Sequence, residues 1–542
     1  MILAARLLLV VLATSVALAL MHAPFATNDG PVHLAFARLI ADHGDPSSPL
    51  QHAFYLVDLR PTPNMMSYFI LVPLMKLMPP QGAEALLQWL CILAPVVAGW
   101  FAIRTLEPRN EYLAVALFPF SLNQMFFLGL YNYELSIAAF FLSLALYLRL
   151  EAAPTPRRAA ALAAALLLAF FCHAAGFIMA VAGIAAMSGT RMATDLAHGQ
   201  RVRAVLQDRR HVLFALLTPL PVCLLFLNAT AGAPIEFGTT LASRVEQFGD
   251  LYLLAVSPGI TRHVALGLRT GLVFAGFWSL SLLQARKAAA APAWSEGCTA
   301  VAVAAAVSIL VMFFMPDTMG GGWTHFRRMV VFPYFWMILL LACMPIPRLG
   351  ALAALFLAAA ASAASLRSAV VVQHEIERQM APLAVVDRLV GPHCTIAPVV
   401  VEPRPVGDTG EPLDLTFNPY FHAASRLELK DDRVVLFNFL ARLKVYPVRF
   451  RAGLEPQANL FGWKPYRHRI FTEQIDIDHY ERESGMPVDY LLVWGKSADP
   501  IYARVQEQVA REAARDRLVY RSEDGWVSLY RRPTQQASAC GQ

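Results

Sequence analysis

The chain has 542 residues, 57% of them hydrophobic and only 15% charged, against roughly 25% charged in an average soluble domain, and its mean hydropathy is +0.48. These values exclude a water-soluble globular protein and point to a polytopic, mainly α-helical membrane protein. The net charge of +6 is explained first by cytoplasmic loops that set membrane topology, so it carries no argument for nucleic acid.

Met1 to Met21 is a long apolar run interrupted only by Arg6, enough to span a bilayer, and it reads as an uncleaved anchor although Ala-Leu-Met-His-Ala is shaped like a cleavage region. A polar loop follows from His22 to Asn64. It contains Thr27-Asn28-Asp29-Gly30-Pro31-Val32-His33 and a helix over Pro31 to Asp42, in which Val32, Ala35, Phe36, Leu39 and Ile40 form one apolar stripe. Such a helix is expected to lie along the membrane surface.

Further hydrophobic segments run over 65–79, 83–105, 111–128, 131–150, 159–187, 211–229, 263–283, 298–315, 329–344 and 349–366, giving about eleven spans in all. With the N-terminus inside, the arginine-rich loop Arg191 to Arg210, Arg286-Lys287 and Arg348 fall in the cytoplasm, as the positive-inside bias requires. The first loop, the loop Gly232 to Arg262, the segment Pro316 to Arg328 and the C-terminal region then face outward. Arg149, Arg157 and Arg158 disagree with this count. Splitting the long segment into a hairpin at Cys172-His173 would bring them inside, at the cost of changing the parity.

From about Ser368 the sequence turns polar. Strands are expected at 395–401, 434–439, 490–494, 518–520 and 526–530, with an amphipathic helix over 500–517. The expected organisation is therefore a transmembrane helical domain over 1–367, including the outer loops 22–64 and 232–262, a small α/β extracytoplasmic domain over 368–533, and a disordered polar tail over 534–542. Cys394 and Cys540 could pair if this region faces an oxidising compartment. The other five cysteines fall in or beside hydrophobic segments and read as small apolar residues.

One anchor, an acidic residue in a long outer loop with a surface helix, and Arg60-Pro61-Thr62-Pro63-Asn64 leading into the second span together resemble the opening of the GT-C superfamily of polyprenyl-phosphate-sugar-dependent glycosyltransferases. The layout is similar to that of protein mannosyltransferases and aminoarabinose transferases. The resemblance implies that Asp29 is the first-loop catalytic acid, acting as general base on an acceptor hydroxyl. Many members carry two adjacent acids, whereas Asn28 precedes Asp29 here. That departure leaves a divalent cation open as a cofactor, without the paired acids that would support one. On local sequence alone Asp29 reads first as the cap of the helix it precedes.

His33, four residues on, is placed to orient Asp29 or contact the substrate, or else to sit at the lipid headgroups. A second cluster, Trp323-Thr324-His325-Phe326-Arg327-Arg328, follows Gly320-Gly321-Gly322. Its arginines, with His325, suit a lipid-linked phosphate, and they also suit snorkelling to headgroups. Tyr131-Asn132-Tyr133-Glu134 falls on the cytoplasmic side of this count and is left out of the site. His173 reads as a packing residue, and Glu246 and Asp250 as loop acids that could meet a sugar.

The function expected is transfer of a sugar from a polyprenyl-phosphate donor to a glycan, lipid or protein acceptor at the outer face of a bacterial-type plasma membrane, by an inverting general-base mechanism. A transporter or flippase for a lipid-linked glycan and a noncatalytic assembly protein are the alternatives. A transporter is expected to carry inverted repeats, and the sequence has no evident repeat.

Overall fold

The computed structural model describes residues 1–249, 296–320, 322, 325–346, 348–402, 404–406, 415–443, 445–462, 474–497, 500–533 and 540–541. The expected span 263–283, Arg286-Lys287, Asp250, Trp323, Thr324 and most of the tail lie outside them. The chain divides into two compact units. The first comprises Met1–Pro24, Pro61–Ser67 and Ala85–Val370, and the second comprises Phe25–Arg60, Tyr68–Glu84 and Val371–Gln542.

Eight helices among the described residues are long and apolar enough to cross a membrane: Ile2–His22, Pro80–Leu106, Tyr131–Ala152, Ala174–Ala197, Arg210–Ala229, Gly297–Phe314, His325–Ala342 and Arg348–Leu389. The mainly helical class with a small C-terminal sheet is thus as expected, and three segments differ in detail. Residues 65–79 form only the 12-residue helix Met66–Leu77, too short to cross on its own at about 1.5 Å per residue. Residues 111–128 form a 3₁₀ helix, Pro108–Leu117, and two single helical turns. The long segment 159–187 is broken into Pro156–Cys172 and Ala174–Ala197.

That last break is made by His173, whose backbone is extended (φ −165°, ψ 142°) and whose Nδ1 accepts from the Ala175 N–H at 3.0 Å. A ring nitrogen thereby satisfies one of the donors that open the second helix. The hairpin reading is the one the structure takes, and it revises which groups share an end of the first unit. Asn64 N–H donates to the Cys172 carbonyl at 3.1 Å, and Asn132 bonds both the Asn64 carbonyl (2.9 Å) and Ser67. Tyr133 Oη donates to the Arg328 carbonyl at 2.9 Å. The Tyr131–Glu134 turn, assigned to the cytoplasmic side from sequence, therefore lies with Asn64, His173 and Arg328.

The opposite end of the same helices gathers Glu151 with Arg191 (2.8 Å) and Arg209, which also holds Asp195 at 3.0 Å. Arg158 donates to the Arg149 carbonyl nearby, at 2.7 Å. Arg149 and Arg158 thus share an end with Arg191 and Arg209, and the disagreement with the positive-inside bias disappears. Small residues set the helix crossings. A side chain on Gly176 would stand 2.4 Å from the Ser136 carbonyl oxygen, and one on Gly183 would stand 2.2 Å from the Trp336 ring, so glycine is what lets these helices approach.

The second unit holds a five-stranded sheet in the order β3-β2-β5-β7-β6. Its strands are β2 Thr395–Val400, β3 Val434–Val435, β5 Tyr490–Trp494, β6 Arg517–Arg521 and β7 Val527–Arg531. β2 pairs in parallel with β3 and β5, and β7 antiparallel with β5 and β6. β2 is buried at every position, as a strand covered on both faces requires. The expected helix over 500–517 forms over Ala503–Ala513. Two further strands were not legible in the sequence. β1 Tyr55–Val57, from the first loop, pairs antiparallel with β4 Val448–Phe450.

Asp58 accepts from both Arg60 and Arg449, the latter at 2.6 Å, which fastens the same junction. The first-loop helix forms over Gly30–Ala41 with proline at its start, but nine of its residues are buried, on the polar face as well as the apolar one. It packs against the 3₁₀ segment Ala423–Leu429, so the surface placement expected from its stripe gives way to burial within the second unit. Cys394 and Cys540 form a disulfide.

Candidate active site

Asp29 immediately precedes the first-loop helix and occupies its N-cap position, yet its side chain makes no capping hydrogen bond; Pro31 lies in the first turn and leaves one donor fewer to satisfy. The carboxylate instead accepts from Asn28 Nδ2 at 2.6 Å. The residue that stands where a second acid is often found thus donates to Asp29 and supports its charged form. Among the described residues no trio of His, Cys, Asp or Glu ligand atoms gathered within 4.8 Å of one another includes Asp29.

His33 sits one turn along the same helix, its backbone N–H bonded to the Asp29 carbonyl at 3.0 Å. Its ring is buried, and Nδ1 lies 2.8 Å from Tyr68 Oη. The ring also packs at 6.0 Å from that of Tyr446. This is a packed and hydrogen-bonded histidine, which removes the headgroup reading. A third residue completes the surroundings. His422 Nε2 stands 3.7 Å from Asp29 Oδ1, and the His422 side chain is fully buried while that of Asp29 is 13% exposed. Burial holds the His422 pKa down, at about 3, so its ring is neutral.

His325, Arg327 and Arg328 belong to the first unit and lie together on the short helix His325–Met329. His325 is buried with Nε2 at 3.0 Å from the Met319 carbonyl, a structural contact that fixes the turn before the helix. Arg327 is exposed and Arg328 half-buried. Arg328 Nη1 lies 2.9 Å from His173 Nε2. Because His173 Nδ1 already accepts from the Ala175 N–H, the ring proton belongs on Nε2, and two donors face each other there. They stand at the N-terminus of the 24-residue helix Ala174–Ala197, whose dipole adds positive character.

Sequence reasoning grouped Asp29 with His33, and separately His325 with the two arginines, and the structure keeps both groups. It missed His422, His173 and Tyr133. His422 carries no local signal, since its neighbours Phe421 and Ala423 read as ordinary core. His173 and Tyr133 are both polar residues in apolar segments, a signal that marks functional positions in membrane helices; Tyr133 was left out because the span count put its turn on the cytoplasmic side, and His173 was read as a packing residue. Of the loop acids, Glu246 is exposed.

No protein-family model and no curated protein sequence matches the chain. Among solved structures it is similar to ArnT from Cupriavidus metallidurans in the apo state, with a TM-score of 0.53 and 13% identity over 97% of each chain. It is also similar to the same enzyme bound to undecaprenyl phosphate, with a TM-score of 0.52 and 12% identity, again over 97% of each chain. The likeness covers nearly the whole of both chains, and the chain has an ArnT-like fold.

Proposed function

We propose that the protein is a membrane glycosyltransferase that moves a sugar from a polyprenyl-phosphate donor to an acceptor hydroxyl at the outer face of the membrane. The observation that carries this reading is the fold shared over 97% of both chains with an ArnT structure bound to undecaprenyl phosphate. Asp29 takes the proton of the acceptor hydroxyl. The acceptor oxygen forms the new bond to the anomeric carbon from the face opposite the phosphate, and the bond from that carbon to the phosphate oxygen breaks with its electron pair on the phosphate. The anomeric centre inverts, and the polyprenyl phosphate leaves as the anion.

Arg327 and Arg328 offer that anion fixed positive charge, which is worth more in a partly dry surrounding than in bulk water. His325 holds their helix, and His33 supports the loop from which Asp29 projects. The outward placement of the C-terminal region is supported by its disulfide, a bond that persists in oxidising compartments. The region's residues beyond 368 are proposed as a soluble domain that receives a glycan, lipid or protein acceptor. The test is transfer of a radiolabelled sugar from defined polyprenyl-phosphate donors by purified protein in detergent or vesicles. Asp29→Ala is expected to abolish transfer while the protein folds and binds donor.

A further inference from the structure

We propose that His422 is the positioning residue for Asp29: its Nε2–H donates to the Asp29 carboxylate when substrate binds and holds one oxygen in line with the acceptor hydroxyl. This deepens the general-base reading and rests on it for its catalytic consequence.

The geometry is specific. His422 is completely buried; neither ring nitrogen makes a hydrogen bond of good geometry with a described residue, and a contact with the Phe437 backbone is the ring's other polar interaction. A buried imidazole whose N–H is poorly aligned with any acceptor is costly, so a well-placed acceptor is favoured there. Its nearest ionic neighbour is Asp29 Oδ1, at 3.7 Å from Nε2. A carboxylate is the strongest acceptor in the neighbourhood, so it sets the tautomer and draws the ring proton to Nε2. Closing the distance by less than about 1 Å makes a normal hydrogen bond, and such contacts are commonly long in unliganded enzymes and tighten with substrate.

The surroundings keep the ring from turning away. Phe421 packs edge-on at 4.3 Å between centroids and Phe437 at 5.7 Å, while Phe421 and Phe437 also contact each other. Among the described residues, the other titratable groups facing this pair are His33 on the first-loop helix, Tyr68 and Tyr446. Asn28 supplies the second donor to the same carboxylate oxygen at 2.6 Å.

Two variants and two readouts test this. His422→Phe keeps an aromatic ring among Phe421 and Phe437 but removes the donor, and His422→Gln restores a donor. In His422→Phe, turnover should fall about tenfold or more with the donor KM unchanged, and the acidic limb of the pH profile should move up by about one unit, because the carboxylate loses a hydrogen bond to its charged form. His422→Gln should recover part of both. Independently of turnover, the Asp29 titration, read as the infrared difference between wild type and Asp29→Asn, should shift upward in His422→Phe and return in His422→Gln. An unshifted infrared titration in His422→Phe overturns the proposal, as does an equal loss of turnover in both variants with no movement of the pH limb. If the infrared shift is present but wild-type protein transfers no sugar, the contact stands and the glycosyltransferase reading falls.

Discussion

Asp29 precedes Gly-Pro at the start of a helix, a context in which an aspartate normally caps the first turn. Here the carboxylate makes no capping bond, faces Asn28 and lies near His422, so the local sequence pointed to a role the packing does not give it. The arginines have a separate signature. Replacing both in Arg327→Ala, Arg328→Ala should weaken binding of a polyprenyl-phosphate donor about tenfold or more, since each charge-assisted bond to phosphate contributes roughly 1.5–3 kcal/mol; unchanged affinity would remove them from the phosphate's surroundings. Glu428 gives a pH-dependent prediction. Fully buried, it accepts from Tyr55 Oη at 2.7 Å and the Val435 N–H at 2.9 Å, and burial pushes its pKa from the usual 4.5 up to about 7. Between these values the folded chain keeps a proton that the unfolded chain releases, so stability falls as pH rises through that window, by about 3 kcal/mol in all. Thermal unfolding in detergent should show this decline in wild type, and Glu428→Gln should lose it.

At the scale of elements, periodicity made the long helices and the C-terminal strands legible, because helices facing lipid and strands buried in a sheet carry their own hydrophobic pattern. Where tertiary packing decides, the pattern was silent. The first-loop helix shows one apolar stripe but is buried on both faces, because a 3₁₀ segment hundreds of residues away covers it. The three-residue strands β1 and β4 are too short to stand out from loop. The break at His173 depends on one backbone conformation in an otherwise continuous apolar run. The crossing beside it is sharply constrained: Gly176→Ala places a methyl 2.4 Å from the Ser136 carbonyl oxygen, and should cost about 1–3 kcal/mol or more through overpacking, seen as a lowered unfolding temperature. The disulfide between Cys394 and Cys540 predicts that thiol labelling of unfolded protein reveals two more cysteines after reduction than before; equal labelling would contradict it.

For the molecule as a whole, the mainly helical class was readable from composition and hydropathy, while the sidedness of individual turns was not, because it depends on which apolar runs are broken; the first loop, expected with the transmembrane domain, groups instead with the C-terminal residues in the second unit. With 159–187 as two helices, Arg149 and Arg158 share an end of the first unit with Arg191 and Arg209, the end proposed to be cytoplasmic. A cysteine introduced at the exposed Glu507 in intact cells should then react with an impermeant maleimide from outside, and one at Arg157 only after permeabilisation. The likeness of fold was legible in the order of first-loop features, yet the residues around Asp29 come from regions whose sequence carries no motif. The central claim is that this fold moves a sugar from a polyprenyl phosphate with Asp29 as base. It is tested most directly by radiolabelled transfer from a defined polyprenyl-phosphate sugar, comparing wild type with Asp29→Ala at equal donor occupancy. The account predicts transfer by wild type and a loss of about 10²-fold or more in the variant, with donor binding retained; turnover at the wild-type rate in Asp29→Ala would contradict it.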